Sequence, residues 1–403
     1  MQLGWIDFSK EEREKVLDVI NLLSEEGAVD ELGIGIIRDS FANIFFPGTS
    51  TVQTRAKYFL IVPYILKEVE EGKFGSNFEK IISSIDKEEE WCARKMLERD
   101  KEGVIGARSL PNNKWVARKP SNIYWNGIRT LKIFTNDSIS IPEYVKLACS
   151  LNNQKKITKL GNHSDEREEN EKDDKDAGDI FKYNFWNLPN SYNTDWRSDL
   201  SVHLLTEEAL FLRKQITQEL PNSLFSYLLQ NNIDVDKFTS FASLYEEIKD
   251  KVSKELKIDM QMAVEFGNFI QMAFVQYNLI VSLEKNEQAL DMWEKVQENA
   301  AIYANINLEA IYTRFGITNY RLKLFLNSLK ESFLEGNVIK TREIIRNREN
   351  DLKGKSRAKV NRVGEFNENS WIGMMSLDYR FSGAKRIIND IYEGETLHNA
   401  TNR

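Results

Sequence analysis

Between Phe45 and Leu66 the chain reads FFPGTSTVQTRAKYFLIVPYIL, and this stretch restricts the possible folds more than any other. Pro47-Gly48 is a turn signal. Thr49, Ser50 and Thr51 then offer hydroxyls to the unpaired backbone amides at the start of a helix. Behind them Gln53, Arg55 and Lys57 interleave with a run, Tyr58-Phe59-Leu60-Ile61-Val62, that grows steadily more apolar. The helix expected here is wet and cationic at one end and buried at the other. Free amides, hydroxyls and an adjacent Arg and Lys suit a phosphate. A capped core helix with a solvated first turn is the plainer alternative.

Nothing else in the composition forces a class of function, but several classes fall away. With 403 residues, 41% hydrophobic and 29% charged, the chain is long enough for two or three cores. A formal charge of -7 confines any DNA contact to a local basic face. Cys92 and Cys149 are the only cysteines, and His163, His203 and His398 the only histidines. That number supports neither a disulfide framework nor a Cys/His zinc cluster, and it suits a reducing cytoplasm. The N-terminal MQLGWIDFSKEEREKVLDVI lacks the basic-then-apolar pattern of a secretory signal, and no apolar run approaches membrane-spanning length, so no membrane association is expected. Gly33 and Gly35 lie in a stretch without GxxxxGK[ST] and without the third glycine of a dinucleotide fingerprint, so no cofactor is expected.

In chain order, Ser9 is placed to cap a helix that carries Val16, Leu17, Val19, Ile20 and Leu23 and ends near Gly27. A long helix is expected over Phe78 to Arg99, with Ile81, Ile85, Trp91 and Leu97 facing inward. Gly103 to Phe134 mixes short extended pieces with a helix over Asn122 to Leu131, and sets Lys114, Arg118, Lys119 and Arg129 among Trp115, Tyr124 and Trp125. Cations interleaved with aromatics suit nucleic-acid backbone and bases, and they equally suit long stems lying over tryptophan faces. From Asn152 the chain turns polar, with an acidic concentration over Asp165 to Asp179 that reads as a surface insertion.

From Leu200 onward the sequence reads as consecutive helices, with Gln261 to Leu283 apolar on much of its circumference and therefore central to this half. A basic segment over 340–362 follows, including Lys353, Lys355, Arg357, Lys359 and Arg362, diluted by Glu343, Glu349 and Asp351. It suits a phosphate backbone, or simply a solubilising helix and loop. The expected fold is mainly α, with a small α+β, winged-helix-like N-terminal part and a helical C-terminal array. The expected divisions are 1–150, an acidic insertion at 151–179, and 180–403.

LGWIDFS at Leu3 to Ser9, FPGTST-Q-TRAKYFLIVPY at Phe46 to Tyr64, GVIGAR followed by PSNIYWNGIRTLKIF, and LDYRFSGAKRIINDIYEG at Leu377 to Gly394 together resemble one bacterial family. It is a domain of unknown function of about this length, whose genes lie in antiphage defence islands beside helicases, phospholipase-D-like nucleases and DNA methyltransferases. No catalytic residues follow from the resemblance. It implies work on or near DNA, by a non-catalytic subunit that holds double- or single-stranded DNA without sequence preference and docks an operon-encoded helicase or nuclease. Arg55, Lys57, Lys114, Arg118, Lys119 and Arg129 are the first candidates for phosphate contact, and Lys353, Lys355, Arg357 and Lys359 the second. The alternatives are a pure protein scaffold, or a metal-dependent nuclease built from two carboxylates near Lys57. Oligomeric state is not set by these features.

Overall fold

Residues 30–100, 102–161 and 184–401 are described by a computed structural model of the chain, and their regular secondary structure is almost entirely helical, joined by turns and loops. Contacts divide them into two units, each assembled from two separate stretches. One takes the residues up to Phe41 together with Ile258–Leu377; the other takes Ala42–Lys257 and the residues from Asp378 onward. Neither unit follows the three consecutive divisions expected from the sequence, because the residues from Asp378 onward return to pack within Ala42–Lys257 and the residues up to Phe41 join Ile258–Leu377.

In the Ala42–Lys257 unit the centre is the helix Tyr58–Glu70, in which every residue except Lys67 and Glu70 is buried. An element apolar on all sides has no solvent face to offer, so its neighbours must surround it. Phe78–Leu97, Pro120–Thr130 and Ile141–Gly161 all pack against it. Asn77 caps the first of these by accepting the Lys80 amide at 3.0 Å, and Pro120 opens the second at a position where its missing N–H is harmless. The third begins at a reciprocal cap: Ser140 N donates to Glu143 Oε2 at 2.8 Å, and Glu143 N to Ser140 Oγ at 3.4 Å. It then runs past Asn152, where the acidic insertion was expected to start, because Asn152 Nδ2 is held by the Val69 carbonyl at 3.0 Å. The helix Phe381–Thr401 lies on Thr206–Glu219 and completes the unit.

The other unit is organised on the long helix Lys254–Val281, whose Phe266, Phe269, Ile270, Ala273, Phe274 and Tyr277 are all buried, as the apolar periodicity requires. Tyr320–Leu334 packs between Ala300–Ala304 and Val338–Lys353. Asn286, Asn307, Asn319 and Asn337 each cap a helix of this unit, their side-chain oxygens accepting the amide three residues on.

The described residues of the N-terminal half do not form a winged-helix-like α+β part. Gly103 to Lys119 is a sequence of turns with one 3-10 turn at Leu110–Asn112, and the β feature among the described residues is a lone antiparallel bridge between Phe134 and Trp186. No helix among the described residues is long and apolar enough to cross a membrane. The Ser9-capped helix, LGWIDFS and most of the acidic insertion lie outside the described residues.

Candidate nucleic-acid interface

The polar residues after Pro47-Gly48 do not start a helix; they build a connection. Thr49 Oγ1 donates to the Phe46 carbonyl at 2.6 Å, Gln53 Oε1 accepts the Ser50 amide at 3.1 Å, and Gln53 Nε2 donates to the Gly48 carbonyl at 3.1 Å. The helix therefore begins at Tyr58, and the amides ahead of it find distant partners. Tyr124 Oη accepts Thr54 N at 2.8 Å and Arg55 N at 3.1 Å while donating to the Arg55 carbonyl at 2.9 Å. Asp390 Oδ2 accepts Ala56 N at 2.6 Å, and Arg55 grips the same carboxylate with Nη2–Oδ1 at 2.7 Å and Nε–Oδ2 at 3.1 Å. Burial pushes the Asp390 carboxyl up to about 6 even so.

Arg380 Nη1 donates to the Thr49 carbonyl at 2.8 Å, and the Phe381 and Phe46 rings stack 6.1 Å apart. Three motifs widely separated in sequence, FPGTSTVQTRAKYF, PSNIYWNGIRT and LDYRFSGAKRIIND, thus meet in one packed junction. Arg55 belongs to the structure of that junction, where a phosphate contact was expected.

Lys57 is a clearer correction. It is 5% exposed, and its Nζ lies 2.5 Å from Glu208 Oε2. Tyr64 Oη donates to Glu208 Oε1 at 3.2 Å, and Glu208 also accepts the Leu205 amide at 2.8 Å, closing the first turn of Thr206–Glu219. The wet, cationic helix end anticipated here is a buried ion pair that ties the central helix to Thr206–Glu219, because the counter-charge lies far along the chain.

From this junction hangs the loop Gly103 to Lys119. At its start, the Gly103 carbonyl accepts Thr54 Oγ1 at 2.6 Å and Ile105 N donates to Tyr58 Oη at 2.8 Å. At its end, Trp115 Nε1 donates to Asp86 Oδ1 at 2.9 Å, and Lys119 bridges to the same oxygen at 2.6 Å while its ammonium sits 5.3 Å over the Trp115 ring. Immediately after the loop, Ser121 N donates to Glu89 Oε1 at 2.6 Å. Glu89 is buried with its Oε2 unpartnered, and burial pushes its carboxyl up to about 7.

Between these fastenings Arg108, Lys114 and Arg118 stand exposed, with no carboxylate paired to any of them among the described residues. Lys114 and Arg118 were legible as candidates; Arg108 was not singled out, although it ends the GVIGAR motif. Arg129 points elsewhere, its Nη1 donating to the Asp137 carbonyl at 2.8 Å.

The basic segment of the other unit is mostly neutralised. Lys353 Nζ lies 3.0 Å from Glu349 Oε1 and 3.7 Å from Glu31 Oε1, and Lys359 Nζ lies 3.0 Å from the same Glu31 oxygen. Burial opposes ionisation of Glu31, yet these lysines hold its carboxyl below the usual range. Glu349, fully buried, also accepts Tyr277 Oη at 2.9 Å and Val360 N at 3.0 Å. Arg357 Nε donates to the Lys353 carbonyl at 3.0 Å; Lys355 is exposed and unpaired among the described residues. Both cysteines are free and buried, and no group of three or more His, Cys, Asp or Glu among the described residues could hold a metal ion.

With this geometry in hand, comparison with known families gives one match. Residues 1–143 are similar to a family of unknown function, DUF6361. The DUF6361-like region holds the turn, the central helix, the loop and the Pro120–Thr130 helix, whereas Glu208 and Asp390, which neutralise Lys57 and Arg55, fall outside it. No curated protein and no solved structure matches the chain.

Proposed function

We propose that the protein is a non-catalytic, DNA-associated subunit that holds the nucleic-acid backbone on Arg108, Lys114 and Arg118. The observation that carries this reading is a cluster: these three cations are exposed and unpaired among the described residues on one loop fastened at both ends, while Arg55, Lys57, Lys119, Lys353 and Lys359 are neutralised by carboxylates and Lys355, likewise exposed and unpaired, belongs to the other unit. Exposed guanidinium and ammonium groups without counter-charges attract phosphates and release counterions, without reading bases. Arg55 and Lys119 position the loop.

The setting, a bacterial antiphage system with a helicase or nuclease partner, rests on the motif resemblance, and its cytoplasmic placement on the cysteine usage. A docking face for such a partner is supported by the stripe Tyr320, Leu324 and Leu334 on Tyr320–Leu334, respectively 72%, 52% and 49% exposed. That stripe also supports the scaffold reading.

The test is binding of the full chain to labelled duplex and single-stranded DNA at low and moderate salt, with and without magnesium, following both mobility and strand integrity. Salt-sensitive binding that disappears when Arg108, Lys114 and Arg118 are changed together to Ala supports the reading. No binding at low salt leaves the scaffold, and magnesium-dependent cleavage overturns the non-catalytic assignment.

A further inference from the structure

Residues 184–188 run extended beside 133–135. Thr135 N donates to the Phe185 carbonyl at 2.9 Å and Asn187 N to the Ile133 carbonyl at 2.8 Å, bracketing the Phe134–Trp186 bridge. In this pattern the backbone groups of residues 186 and 188 point away from the paired side. The Trp186 amide meets only the side chain of Asn184, at 3.4 Å, and neither the Trp186 carbonyl nor the backbone of Leu188 has a hydrogen-bond partner among the described residues. Among the described residues the segment is an unpaired strand edge, more open at Leu188 than at Trp186, which is 2% exposed.

A groove of about 830 Å³ lies along it, and Thr206–Glu219 forms the opposite wall. Glu207, Leu210, Phe211, Lys214 and Gln218 line that wall at helical spacing, so they share one helix face. Leu210 is 51% exposed, an apolar side chain left uncovered in the middle of the wall. Glu207 and Glu219 mark its ends, about 18 Å apart at 1.5 Å per residue, which five or six extended residues would span.

We propose that this groove takes an extended peptide of a partner protein, added as a strand to the open edge at Trp186 and Leu188. Main-chain hydrogen bonds supply the pairing, and side-chain alternation sets the preference: an apolar residue on Leu210 and Phe211, and basic residues near the ends, facing Glu207 and Glu219. The donors and acceptors left unpaired among the described residues call for another main chain, and Glu207 and Glu219 favour cationic residues at its ends, whereas Lys214 between them does not. The inference is independent of DNA binding, because none of the loop cations takes part.

The probe is a random nine-residue peptide library displayed on phage and selected on the full chain, followed by fluorescence anisotropy with the enriched peptides. The expected winners carry an apolar centre with basic flanks, bind at least tenfold more weakly to the Leu210→Asp variant, and lose at least tenfold when alternate peptide nitrogens are methylated. Leu210 is exposed, so the variant should keep the parent's circular dichroism and melting temperature; the N-methyl series tests strand addition without altering the protein. Absence of enrichment, equal binding by Leu210→Asp, or indifference to N-methylation would each overturn the proposal.

Discussion

The carbonyl oxygen of Gly48 occupies the space that a side chain on Gly127 would need, and the Phe59 ring closes the other side, with Cε1 only 2.6 Å from the position of the missing Cβ. The turn before the central helix and the middle of Pro120–Thr130 therefore approach backbone to backbone. Gly127→Ala should destabilise the protein by about 2–3 kcal/mol, since the obstruction is main chain and an aromatic core ring that cannot swing away. Thermal denaturation checks it, with a fall of several degrees expected. An unchanged melting temperature would mean that the junction is more pliable than its packing indicates.

Removing Lys57 leaves the Glu208 carboxylate buried without its cation. Lys57→Ala should lower stability by about 3–5 kcal/mol, whereas Lys57→Met combined with Glu208→Gln should recover most of that loss, because the Gln carbonyl still accepts from Leu205 N while its amide group can donate to Tyr64 Oη. Urea unfolding of the single and double variants decides the point. Equal losses in both would assign the effect to packing.

Glu89 gives a stability change with pH. Its folded-state value, about 7, lies above the ordinary carboxylate value of 4.5. The protonated form is thus favoured on folding; the associated stability is complete below about 4.5 and is lost as pH rises through about 7. Glu89→Gln should therefore gain on the wild type between those limits, by on the order of 1–3 kcal/mol at pH 8. Parallel stability curves for the two proteins from pH 5 to pH 8, roughly the range in which this linkage acts, would contradict it.

The loop cations and the junction cation should separate cleanly. Each of Arg108→Ala, Lys114→Ala and Arg118→Ala should reduce the slope of log K against log salt by about 0.9 for duplex DNA, while leaving the melting temperature within about 1 °C. Arg55→Ala should instead lower thermal stability, because Asp390 loses its bidentate partner. Anisotropy titrations at several salt concentrations, run beside thermal scans, measure both. If Arg55→Ala changed the slope without changing stability, its assignment to the junction would fail.

The central helix was legible because Tyr58 to Val62 is apolar on every face, and a helix of that kind has only one place to go. Its cations were misread for a related reason: periodicity reports local environment, whereas the partners of Lys57 and Arg55 lie 151 and 335 residues away in sequence. Of the extended pieces expected within Gly103 to Phe134, those ahead of Lys119 fail at Gly103, Gly106 and Asn113, which take φ of 81°, 89° and 54° and turn the chain repeatedly. Arg108 escaped notice because no aromatic neighbours it in sequence. The asparagine caps at 286, 307, 319 and 337 were visible throughout, each directly before a helix, and would have sharpened those helix starts.

That Arg55 closes on Asp390 also governs the order in which the chain acquires its structure. A ribosome adding about 5–20 residues per second reaches the aspartate roughly 20–70 s after the arginine. Through that interval the first turn of the central helix lacks the acceptor for Ala56 N, and the Ile258–Leu377 stretch of the other unit is synthesised in between. The nascent protein must therefore wait, with its most apolar helix incompletely enclosed, for a segment made near the end of synthesis. Such a chain has reason to rely on chaperones, and shortening it from the C-terminus injures the part made first.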